Sequence, residues 1–325
     1  MAVREILRKP FVAIRRAERR DLRGKHIIVT GCSAGSLGYA TAQLLATWGA
    51  KVIVTTRHAV REVVDALNES LAEDAFTGNV DGHLLDLSSA ESVDGFARWY
   101  AHSCGERLDV LVNNAGIHLD LMSQWKEPRL SADGHEIHWR TNYLGTVHLT
   151  HKLLPLLQRS GRDAGEARVV NVVSQLHSRG SNELLFDANR AYESWQAYGL
   201  SKLALIHFTS ELHRRFFTTD NLKSYSLHPA GRSGTYTNVA SKGLEGHHFI
   251  EALRRLAAPL ERLMLASAEE GAQTQVYCAT SPAAVSSGYY VNCEVATSSD
   301  DSRSEAAARR LWDETLVQLA RLENH

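Results

Sequence analysis

The sequence has almost no net charge and few cysteines. Its 325 residues include 36 Lys and Arg against 37 Asp and Glu, a formal net charge of −1 at pH 7. Nucleic-acid-binding proteins normally have a strong basic excess, so the sequence predicts no nucleic-acid partner. The four cysteines, Cys32, Cys104, Cys278 and Cys293, form no CxxC pair. This spacing is typical of free thiols in a reducing compartment, not of a disulfide framework or a zinc site.

The N-terminus lacks an apolar stretch of the length that a secretory signal needs. The run from His26 to Ala50 is uncharged and long enough to cross a bilayer. It contains several glycines and hydroxyl residues, however, and its first half resembles a strand, which favours a buried strand, turn and helix. We therefore expect a cytoplasmic protein.

Sixteen histidines are many for a chain of this length. His135 and His138, and likewise His148 and His151, are three residues apart, which can present two ligands on one helix face. No cysteine or carboxylate partners accompany them in a recognised metal-binding pattern. We expect surface or interface histidines and no metal site.

The first 25 residues contain nine Lys and Arg against three Asp and Glu. Val3, Leu7, Phe11 and Ile14 fall at helical spacing, interrupted by Pro10. One interpretation is a basic amphipathic segment that makes peripheral contact with a membrane or a partner. The other is an extension that packs on the domain with its charges in solvent. We divide the chain into a basic extension over residues 1–24 and one domain over residues 25–325.

Strand-like and helix-like segments alternate after this extension. The predicted strands cover residues 26–30, 51–56, 83–86, 108–112, 168–173 and 224–228, and the predicted helices 39–48, 59–71, 92–102, 133–158 and 193–216. Short apolar strands that alternate with helices of this length imply a parallel sheet covered on both faces. Right-handed crossovers then give an α/β, doubly wound, Rossmann-like fold in a single domain.

A glycine-rich turn lies between the first predicted strand and the first helix. Gly31, Gly35 and Gly38 allow the backbone to approach a ligand closely, and we expect Ser33 and Leu37 beside them at the same site. The helix behind the turn presents free N–H groups and the positive end of its dipole to a phosphate. This is where a dinucleotide pyrophosphate binds in such folds.

The same turn reads Gly-Cys-Ser-Ala-Gly over residues 31–35, which also matches the G-x-S-x-G elbow of serine hydrolases. Ser33 would then be the nucleophile, and His228 a candidate for the histidine of the triad. The elbow normally follows several strands, whereas this turn follows the first. The hydrolase is therefore the less favoured alternative.

The second predicted strand ends at Thr56 and Arg57. An acidic residue at this place would bind the ribose hydroxyl of NAD. Thr56 has no charge to repel a phosphate, and the Arg57 guanidinium can bind one with two hydrogen bonds. The sequence thus favours NADP(H) over NAD(H), although an ordinary surface arginine is the other interpretation.

Tyr198 and Lys202 stand four residues apart and share one face of a predicted helix. A phenol with a pKa near 10 is a poor acid–base catalyst at neutral pH. A nearby lysine cation favours the phenolate, and we expect it to lower the pKa of Tyr198.

These residues and others in the same order resemble the short-chain dehydrogenase/reductase family over about residues 24–320. The resemblance is carried by residues 30–38, the Asn-Asn-Ala-Gly motif at 113–116, Asn142, Ser174 and the Tyr198/Lys202 pair. Segments 194–204, 211–215, 269–274 and 309–312 are similar to its retinol-dehydrogenase-like branch, which includes the WW-domain-containing oxidoreductase.

The resemblance implies roles for four catalytic residues. Tyr198 would be the general acid in carbonyl reduction and the base in alcohol oxidation. Ser174 would hydrogen-bond the substrate oxygen where negative charge develops. Lys202 would bind the nicotinamide ribose, and Asn142 would hold a water that links Lys202 to solvent.

The resemblance also implies a set of cofactor-binding residues. Besides the glycine turn and Arg57 they are Asp86, Leu87, Asn113, Ala115, Gly116, Tyr198, Lys202, Pro229 and Thr235. Asp86 would contact adenine, and the Asn-Asn-Ala-Gly motif would support the sheet and approach the adenine ribose.

Two places depart from the family's pattern. Ser36 and Leu37 separate Gly35 from Gly38, where the family has one residue, so we expect a bulge near the pyrophosphate. After the sixth predicted strand the chain also has one residue more than usual. Thr235 and Thr237 are alternative candidates for the threonine that contacts the nicotinamide amide.

The substrate is expected to be lipophilic. Ser174 and Tyr198 lie 24 residues apart, more than in minimal members of the family. The stretch between them, and a second variable stretch over residues 233–265, contain apolar residues at the ligand-binding edge of the sheet. In the first stretch these are Leu176, Leu184, Leu185, Phe186, Tyr192 and Trp195. Apolar lining favours a retinoid, a steroid or a fatty aldehyde, and the alternative is that these residues pack the loops or a subunit interface.

The sequence therefore predicts an NADP(H)-dependent oxidoreductase domain that interconverts a carbonyl and an alcohol. The alternatives are a non-catalytic cofactor-binding protein of the same fold and, less favoured, the serine hydrolase that uses Ser33. Because the family often forms dimers and tetramers, a homo-oligomer is also expected.

Overall fold

Eight strands form one sheet in the computed structural model, which describes residues 14–71, 78–105, 107–229 and 266–322. The strands are β1 His26–Thr30, β2 Lys51–Thr56, β3 Asn79–Leu84, β4 Val110–Asn113, β5 Ala167–Val172, β6 Leu222–His228, β7 Tyr289–Val291 and β8 Glu294–Ala296. Their order is β3-β2-β1-β4-β5-β6-β7-β8, and every neighbouring pair is parallel except β7–β8. The expected α/β, Rossmann-like fold is confirmed.

Eight α-helices accompany this sheet within the same residues. They are α1 Leu37–Thr47, α2 Val60–Leu71, α3 Ala90–Ser103, α4 Gly145–Asp163, α5 Asn182–Phe186, α6 Ser194–Asp220, α7 Ala268–Thr280 and α8 Glu305–Leu322. Short 3₁₀ turns cover Gln175–Arg179 and Asp301–Arg303, and a π-helical turn over Trp139–Leu144 precedes α4. None of the described helices is both long enough and apolar enough to span a bilayer.

The sheet separates two apolar cores, and β1 shows how the sequence assigns side chains to them. Ile28 is fully buried on one face, where it packs in the cluster that contains Phe96. Its neighbours Ile27 and Val29 are buried on the other face in a second cluster. Strands of a parallel sheet that are buried on both sides are apolar at every position, which explains the continuous apolar run of β1.

The third strand begins at Asn79, four residues before its predicted start. It covers Asn79–Leu84 instead of 83–86 and pairs with β2 along its whole length. Asn79, Asp81 and Gly82 are poor strand formers, and at the edge of the sheet only part of the strand is buried. The apolar pattern therefore located its last residues and missed its beginning.

The elements after residue 228 were not predicted individually. They include α7, which packs against α1, the β7–β8 hairpin, which extends the sheet, and α8, which packs against α6. Asn292 and Cys293 form the hairpin turn with φ values of 54° and 61°. Two consecutive residues with positive φ are the mark of a type I′ turn.

Residues 14–24 of the basic extension pack on the domain. The Arg15 amide donates to Asn292 Oδ1 at 2.8 Å, and the Ala17 amide donates to Gln273 Oε1 at 2.9 Å. Leu22 is buried, and its amide donates to the Trp48 carbonyl. The packing interpretation thus holds for this part, whereas residues 1–13, with Val3, Leu7 and Phe11, lie outside the described residues.

Trp312 of helix α8 packs on α6 through its aromatic ring. Trp312 is 8% exposed, and its ring stacks on Phe208 with centroids 5.6 Å apart and an interplanar angle of 15°. The Arg215 guanidinium lies 4.8 Å from the same ring. Aromatic contacts of this kind contribute both buried area and specific geometry.

We expect Trp312→Ala to lower the free energy of unfolding by about 3–5 kcal/mol, the usual cost of truncating a buried aromatic side chain. Chemical denaturation measures the loss. The matched control is Val317→Ala on the same helix, where the side chain is 53% exposed and we expect less than about 1 kcal/mol. Equal losses in the two variants would contradict this account of α8.

Candidate active site

A cavity of 310 Å³ opens at the carboxyl edge of the sheet. The strand order reverses between β1 and β4, and such a reversal leaves a crevice at the ends of the strands. Twelve of the predicted site residues line this cavity: Gly31, Ser33, Leu37, Arg57, Asp86, Leu87, Ala115, Gly116, Ser174, Tyr198, Lys202 and Pro229. Gly35, Gly38, Asn113 and Asn142 do not line it, and Thr235 and Thr237 lie outside the described residues.

The glycine turn accommodates its extra residue in a tight turn. The Ser36 amide donates to the Ser33 carbonyl at 2.9 Å, and Gly35 inside this turn has a φ of 71°. Ser36 then caps α1, because its hydroxyl accepts a hydrogen bond from the Tyr39 amide. The turn over Ser33–Ser36 leaves the N-terminus of α1 at the cavity, and the bulge stays a prediction.

Gly38 has a packing role and does not face the cavity. A methyl group at this position would lie 2.5 Å from Asn114 Nδ2 and 2.6 Å from the Gly31 carbonyl oxygen. Asn114 Nδ2 itself donates to the carbonyls of Thr30 and Gly31. Only glycine at position 38 lets α1 approach the ends of β1 and β4 so closely.

Arg57 and Asp86 lie at the part of the cavity near the ends of β2 and β3. The Arg57 side chain is exposed and forms no ion pair with any residue that the structure describes. Asp86 Oδ1 accepts hydrogen bonds from the Ser88 amide at 2.9 Å and the Ser88 hydroxyl at 2.7 Å. The carboxylate is thus held in place at the cavity wall.

Asn113, the first residue of the Asn-Asn-Ala-Gly motif, was expected at the cofactor site but does not line the cavity. Its side chain is 2% exposed and donates to Thr150 Oγ1 and Asn171 Oδ1, so it ties β4 to α4 and β5 inside the domain. Asn113 is the last residue of β4, and its side chain lies on the face of the sheet that α4 covers instead of in the cavity. Asn114, which the sequence analysis did not assign to the cofactor, lines the cavity instead.

Tyr198 and Ser174 meet at the cavity wall. Burial raises the pKa of Tyr198 to about 12, and a hydrogen bond with the Ser174 side chain opposes this rise. The Ser174 hydroxyl also accepts a hydrogen bond from the Leu176 amide at 3.2 Å, and the residue is 8% exposed. The two groups that would share a substrate oxygen are therefore adjacent.

Lys202 lies one turn after Tyr198 on α6. Its ammonium nitrogen is 5.7 Å from the centre of the Tyr198 ring and donates to the Val172 carbonyl at 3.1 Å. Burial lowers the pKa of Lys202 to about 8. The expectation that Lys202 lowers the pKa of Tyr198 is not supported by this arrangement, in which burial of the phenol dominates.

Asn142 joins three segments behind the cavity. Its Oδ1 accepts from the Ile117 amide at 2.7 Å, and its Nδ2 donates to the Ile117 carbonyl at 2.9 Å and to Ser201 Oγ at 3.1 Å. Gly116 fits beside it, where a methyl group would lie 3.1 Å from Lys202 Nζ. Asn142 thus fixes the loop after β4 against the helix that carries Lys202.

A histidine holds the backbone of Ser174. His177 Nδ1 lies 2.7 Å from the Ser174 carbonyl oxygen, and His177 Nε2 accepts a hydrogen bond from the Ser299 amide at 3.0 Å. The two bonds together fix the neutral tautomer with its proton on Nδ1. The segment before α8 is thereby connected to the strand end that carries Ser174, a link that no sequence motif indicated.

The apolar residues between Ser174 and Tyr198 do not line the cavity, and the second stretch, residues 233–265, lies outside the described residues. None of Leu176, Leu184, Leu185, Phe186, Tyr192 and Trp195 lines the cavity. Leu185 and Phe186 pack against the apolar core, and the Arg310 guanidinium covers the Phe186 ring at 4.0 Å. The alternative interpretation, loop packing, holds for these two. The apolar wall comes from Ile117, Leu119 and other residues.

Three further residues bring unpartnered polar atoms to the wall; the sequence analysis missed two of them, His118 and Thr141, and named His228 only for the hydrolase alternative. They are His118, Thr141 and His228, and the enclosed atoms are His118 Nε2, Thr141 Oγ1 and both ring nitrogens of His228. Burial lowers the pKa of His118 and that of His228 to about 4. The sequence offered one signal for these residues, their position. His118 follows the β4 motif, Thr141 precedes Asn142, and His228 precedes Pro229.

The described residues contain no group of three or more His, Cys, Asp or Glu side chains placed to hold a metal ion. Of the spaced histidines, His138 is buried against Glu136, with 2.7 Å between Nδ1 and Oε1. His148 is buried beside Asp94 at 3.1 Å. The expectation that these histidines lie on a surface is therefore wrong for both.

Residues 25–240 match the family model of the short chain dehydrogenases. The chain belongs to this family. Among its curated relatives, human retinol dehydrogenase 11 is 34% identical over 300 residues, which cover 90% of this chain and 85% of the relative. Mouse polyprenol dehydrogenase is 35% identical over 305 residues, or 90% of this chain and 83% of the relative. This short-chain dehydrogenase is thus an oxidoreductase of the retinol-dehydrogenase-like branch.

Solved structures of the family share the fold. An uncharacterised protein from Mycobacterium paratuberculosis is 30% identical, with a TM-score of 0.64 over 92% of this chain and 94% of that protein. RhlG from Pseudomonas aeruginosa, solved as a complex with NADP, is 25% identical, with a TM-score of 0.59 over 83% of this chain and 94% of that protein.

The cavity of this short-chain dehydrogenase fits a nicotinamide dinucleotide. The N-terminus of α1 and the glycine turn face it, as a pyrophosphate requires. The unpartnered polar atoms of Thr141 and His228 add groups that a polar ligand can satisfy.

Gly38→Ala should lower the free energy of unfolding by about 1–3 kcal/mol, because the added methyl group collides with backbone and with Asn114. Thermal or chemical denaturation measures it. Gly95→Ala in α3 is the matched control, since a methyl group there meets nothing within 4 Å and helix propensity favours alanine. A Gly38→Ala variant as stable as the Gly95→Ala variant would refute the tight contact.

Proposed function

We propose that the chain is an NADP(H)-dependent oxidoreductase that interconverts a carbonyl and an alcohol on a lipophilic substrate, with Tyr198 as general acid and base. The observation that carries the proposal is the meeting of Tyr198, Ser174 and Lys202 at one wall of the cavity. A phenol and a hydroxyl in contact provide two hydrogen bonds for a single substrate oxygen. Membership of the family supports the reaction class.

Tyr198 and Ser174 would both act on the substrate oxygen. A bound nicotinamide would supply the hydride in reduction and accept it in oxidation. Tyr198 donates its proton to the carbonyl oxygen in reduction, and its raised pKa keeps that proton on the phenol at neutral pH. Ser174 donates a hydrogen bond to the same oxygen as negative charge develops there. In oxidation Tyr198 takes the alcohol proton, so this direction should become faster as pH rises.

Lys202 and Asn142 support Tyr198. With a pKa of about 8, Lys202 is mostly protonated at pH 7 and is available for a ribose hydroxyl. Asn142 holds the loop of Gly116 and Ile117 against the same helix. The proton relay through a water at Asn142 stays a prediction from the family resemblance.

The cofactor contacts are proposed from position and charge. Gly31, Ser33 and Leu37 would meet the pyrophosphate, Asp86 and Leu87 the adenine end, and Arg57 the phosphate that distinguishes NADP from NAD. Ala115, Gly116 and Pro229 would line the remainder of the site. Gly35 and Gly38 would act through the shape of the turn, and Thr235 stays a prediction.

A lipophilic substrate is supported by the apolar wall at Ile117 and Leu119 and by the names of the relatives, which are retinol and polyprenol dehydrogenases. Cytoplasmic location, peripheral membrane contact through residues 1–24 and a homo-oligomer likewise stay predictions from the sequence.

Tyr198→Phe should lower kcat/KM for reduction of a lipophilic aldehyde by about 10²–10⁴-fold, because the proton donor is removed while the ring remains. NADPH binding, followed by fluorescence titration, should persist. Tyr192→Phe is the control, since the Tyr192 hydroxyl contacts Glu136 outside the cavity wall. NADPH binding without turnover by the wild type would favour the non-catalytic alternative, and a fluorophosphonate label on Ser33 would favour the hydrolase.

Arg57→Asp should weaken NADPH binding at least about tenfold relative to NADH, because a charge-assisted hydrogen bond becomes a repulsion. Fluorescence titration with both nucleotides measures the ratio. Arg61→Asp, the same charge change in the first turn of α2 outside the cavity wall, is the control. An unchanged NADPH preference in Arg57→Asp would remove Arg57 from the phosphate site.

A further inference from the structure

The imidazole of His118 lies flat on the phenol of Tyr198. The ring centroids are 4.7 Å apart, and the planes differ by 17°. Trp195 meets His118 edge-on at 4.4 Å, and His138 does so at 5.5 Å. His118 is 2% exposed and lines the cavity, so aromatic neighbours fix its ring beside the group that would exchange the proton.

The ring nitrogen Nε2 of His118 is buried and has no hydrogen-bond partner among the described residues. The neighbouring His138 shows the usual pattern for a buried imidazole. Its Nδ1 pairs with Glu136 Oε1, and its Nε2 accepts from the Leu119 amide at 3.1 Å. Buried polar side chains are nearly always satisfied, so an unsatisfied imidazole at the wall of an active-site cavity indicates a group kept for a ligand.

His118 is neutral at physiological pH. Burial lowers its pKa to about 4, and His138 and Arg179 add to this effect, whereas Asp120 and Glu136 oppose it. A neutral imidazole has one nitrogen that donates and one that accepts. A hydroxyl group can partner either nitrogen, whereas a carbonyl oxygen can partner only the donor. A hydroxyl is therefore the ligand group that fits both tautomers.

We propose that His118 is a specificity-determining residue that binds a second hydroxyl, carried by the carbon next to the reacting one. The preferred substrates are then lipophilic 1,2-diols in oxidation and 2-hydroxyketones in reduction. Because the stacked imidazole and phenol line the same cavity, a substrate whose reacting oxygen meets Tyr198 would bring an oxygen on the adjacent carbon towards His118. This inference rests on the proposed function and names the substrate class of the same site.

The reaction balances with the groups already named. The secondary alcohol loses its carbon-bound hydrogen as hydride to NADP⁺ and its hydroxyl proton to Tyr198. The products are the 2-hydroxyketone, NADPH and one proton that leaves for solvent. The second hydroxyl keeps its bonds throughout and contributes only its hydrogen bond to His118.

The test compares octane-1,2-diol with octan-2-ol as substrates of the full-length protein with NADP⁺. The quantity is the ratio of their kcat/KM values, because a merely structural role of His118 would lower both together. We expect His118→Leu to lower the diol-to-alcohol ratio at least about tenfold, since an apolar side chain cannot bind the second hydroxyl. His118→Gln should recover part of the ratio, because its amide both donates and accepts.

His102→Leu at the exposed end of α3 is the matched control and should keep the wild-type ratio. An equal ratio in the wild type and His118→Leu would overturn the inference and leave the proposed function standing. A binding measurement covers the case in which the protein turns over neither compound. Quenching of tryptophan fluorescence in the presence of NADP⁺ reports the binding of octane-1,2-diol and of octan-2-ol. Tighter diol binding by the wild type than by His118→Leu, without turnover, would support His118 and refute the proposed function. Equal diol binding without turnover would refute both.

Discussion

The side-chain amide of Asn142 is the contact on which the geometry of the site depends. It pairs with both backbone groups of Ile117 and with the hydroxyl of Ser201, so a π-helical turn, the loop after β4 and α6 meet at one residue. π-helical turns are rare and occur often at functional sites. With the hydrogen bond from Ser194 Oγ to the Asp120 carbonyl, this junction holds the loop after β4 against the helix that carries Lys202.

Burial sets the chemistry of the site more strongly than charge does. Burial shifts the pKa of the Tyr198 phenol and that of the Lys202 ammonium towards their neutral forms, and the Ser174 side chain opposes the rise in the pKa of the phenol. The sequence argument from the four-residue spacing treated the two groups as an isolated pair in water. The carbonyl of Val172, which holds the ammonium, is invisible in that spacing.

Much of the fold and of the site could be predicted from residue patterns. The apolar runs of β1 and β2 gave their bounds without error, because strands buried on both faces have no polar interruption. The order of motifs along the chain predicted that four residues lie at one site, and all four line the cavity: Gly31, Ser174, Tyr198 and Lys202. Asn114 lines the cavity and Asn113 does not, a difference between two adjacent asparagines that the motif itself does not show.

Other features had no local signal. His118 gains its environment from three rings that are distant in sequence, and His177 reaches Ser299 across 122 residues. The apolar residues between Ser174 and Tyr198 indicated a buried environment correctly for Leu185 and Phe186, but not which environment. An apolar residue type indicates that a side chain is buried. Only the fold determines which residues it packs against.

The contact between Arg15 and the β7–β8 turn has a consequence for biosynthesis. The Arg15 amide bonds Asn292, 277 positions further along the chain, and Ala17 bonds Gln273. During translation these partners emerge last, so the first part of the chain must wait for the final quarter before it can dock. Contacts of such long sequence separation form late and slow the completion of folding. A ribosome that stalls before residue 292 would therefore present a nascent chain in which the partner of Arg15 is still missing.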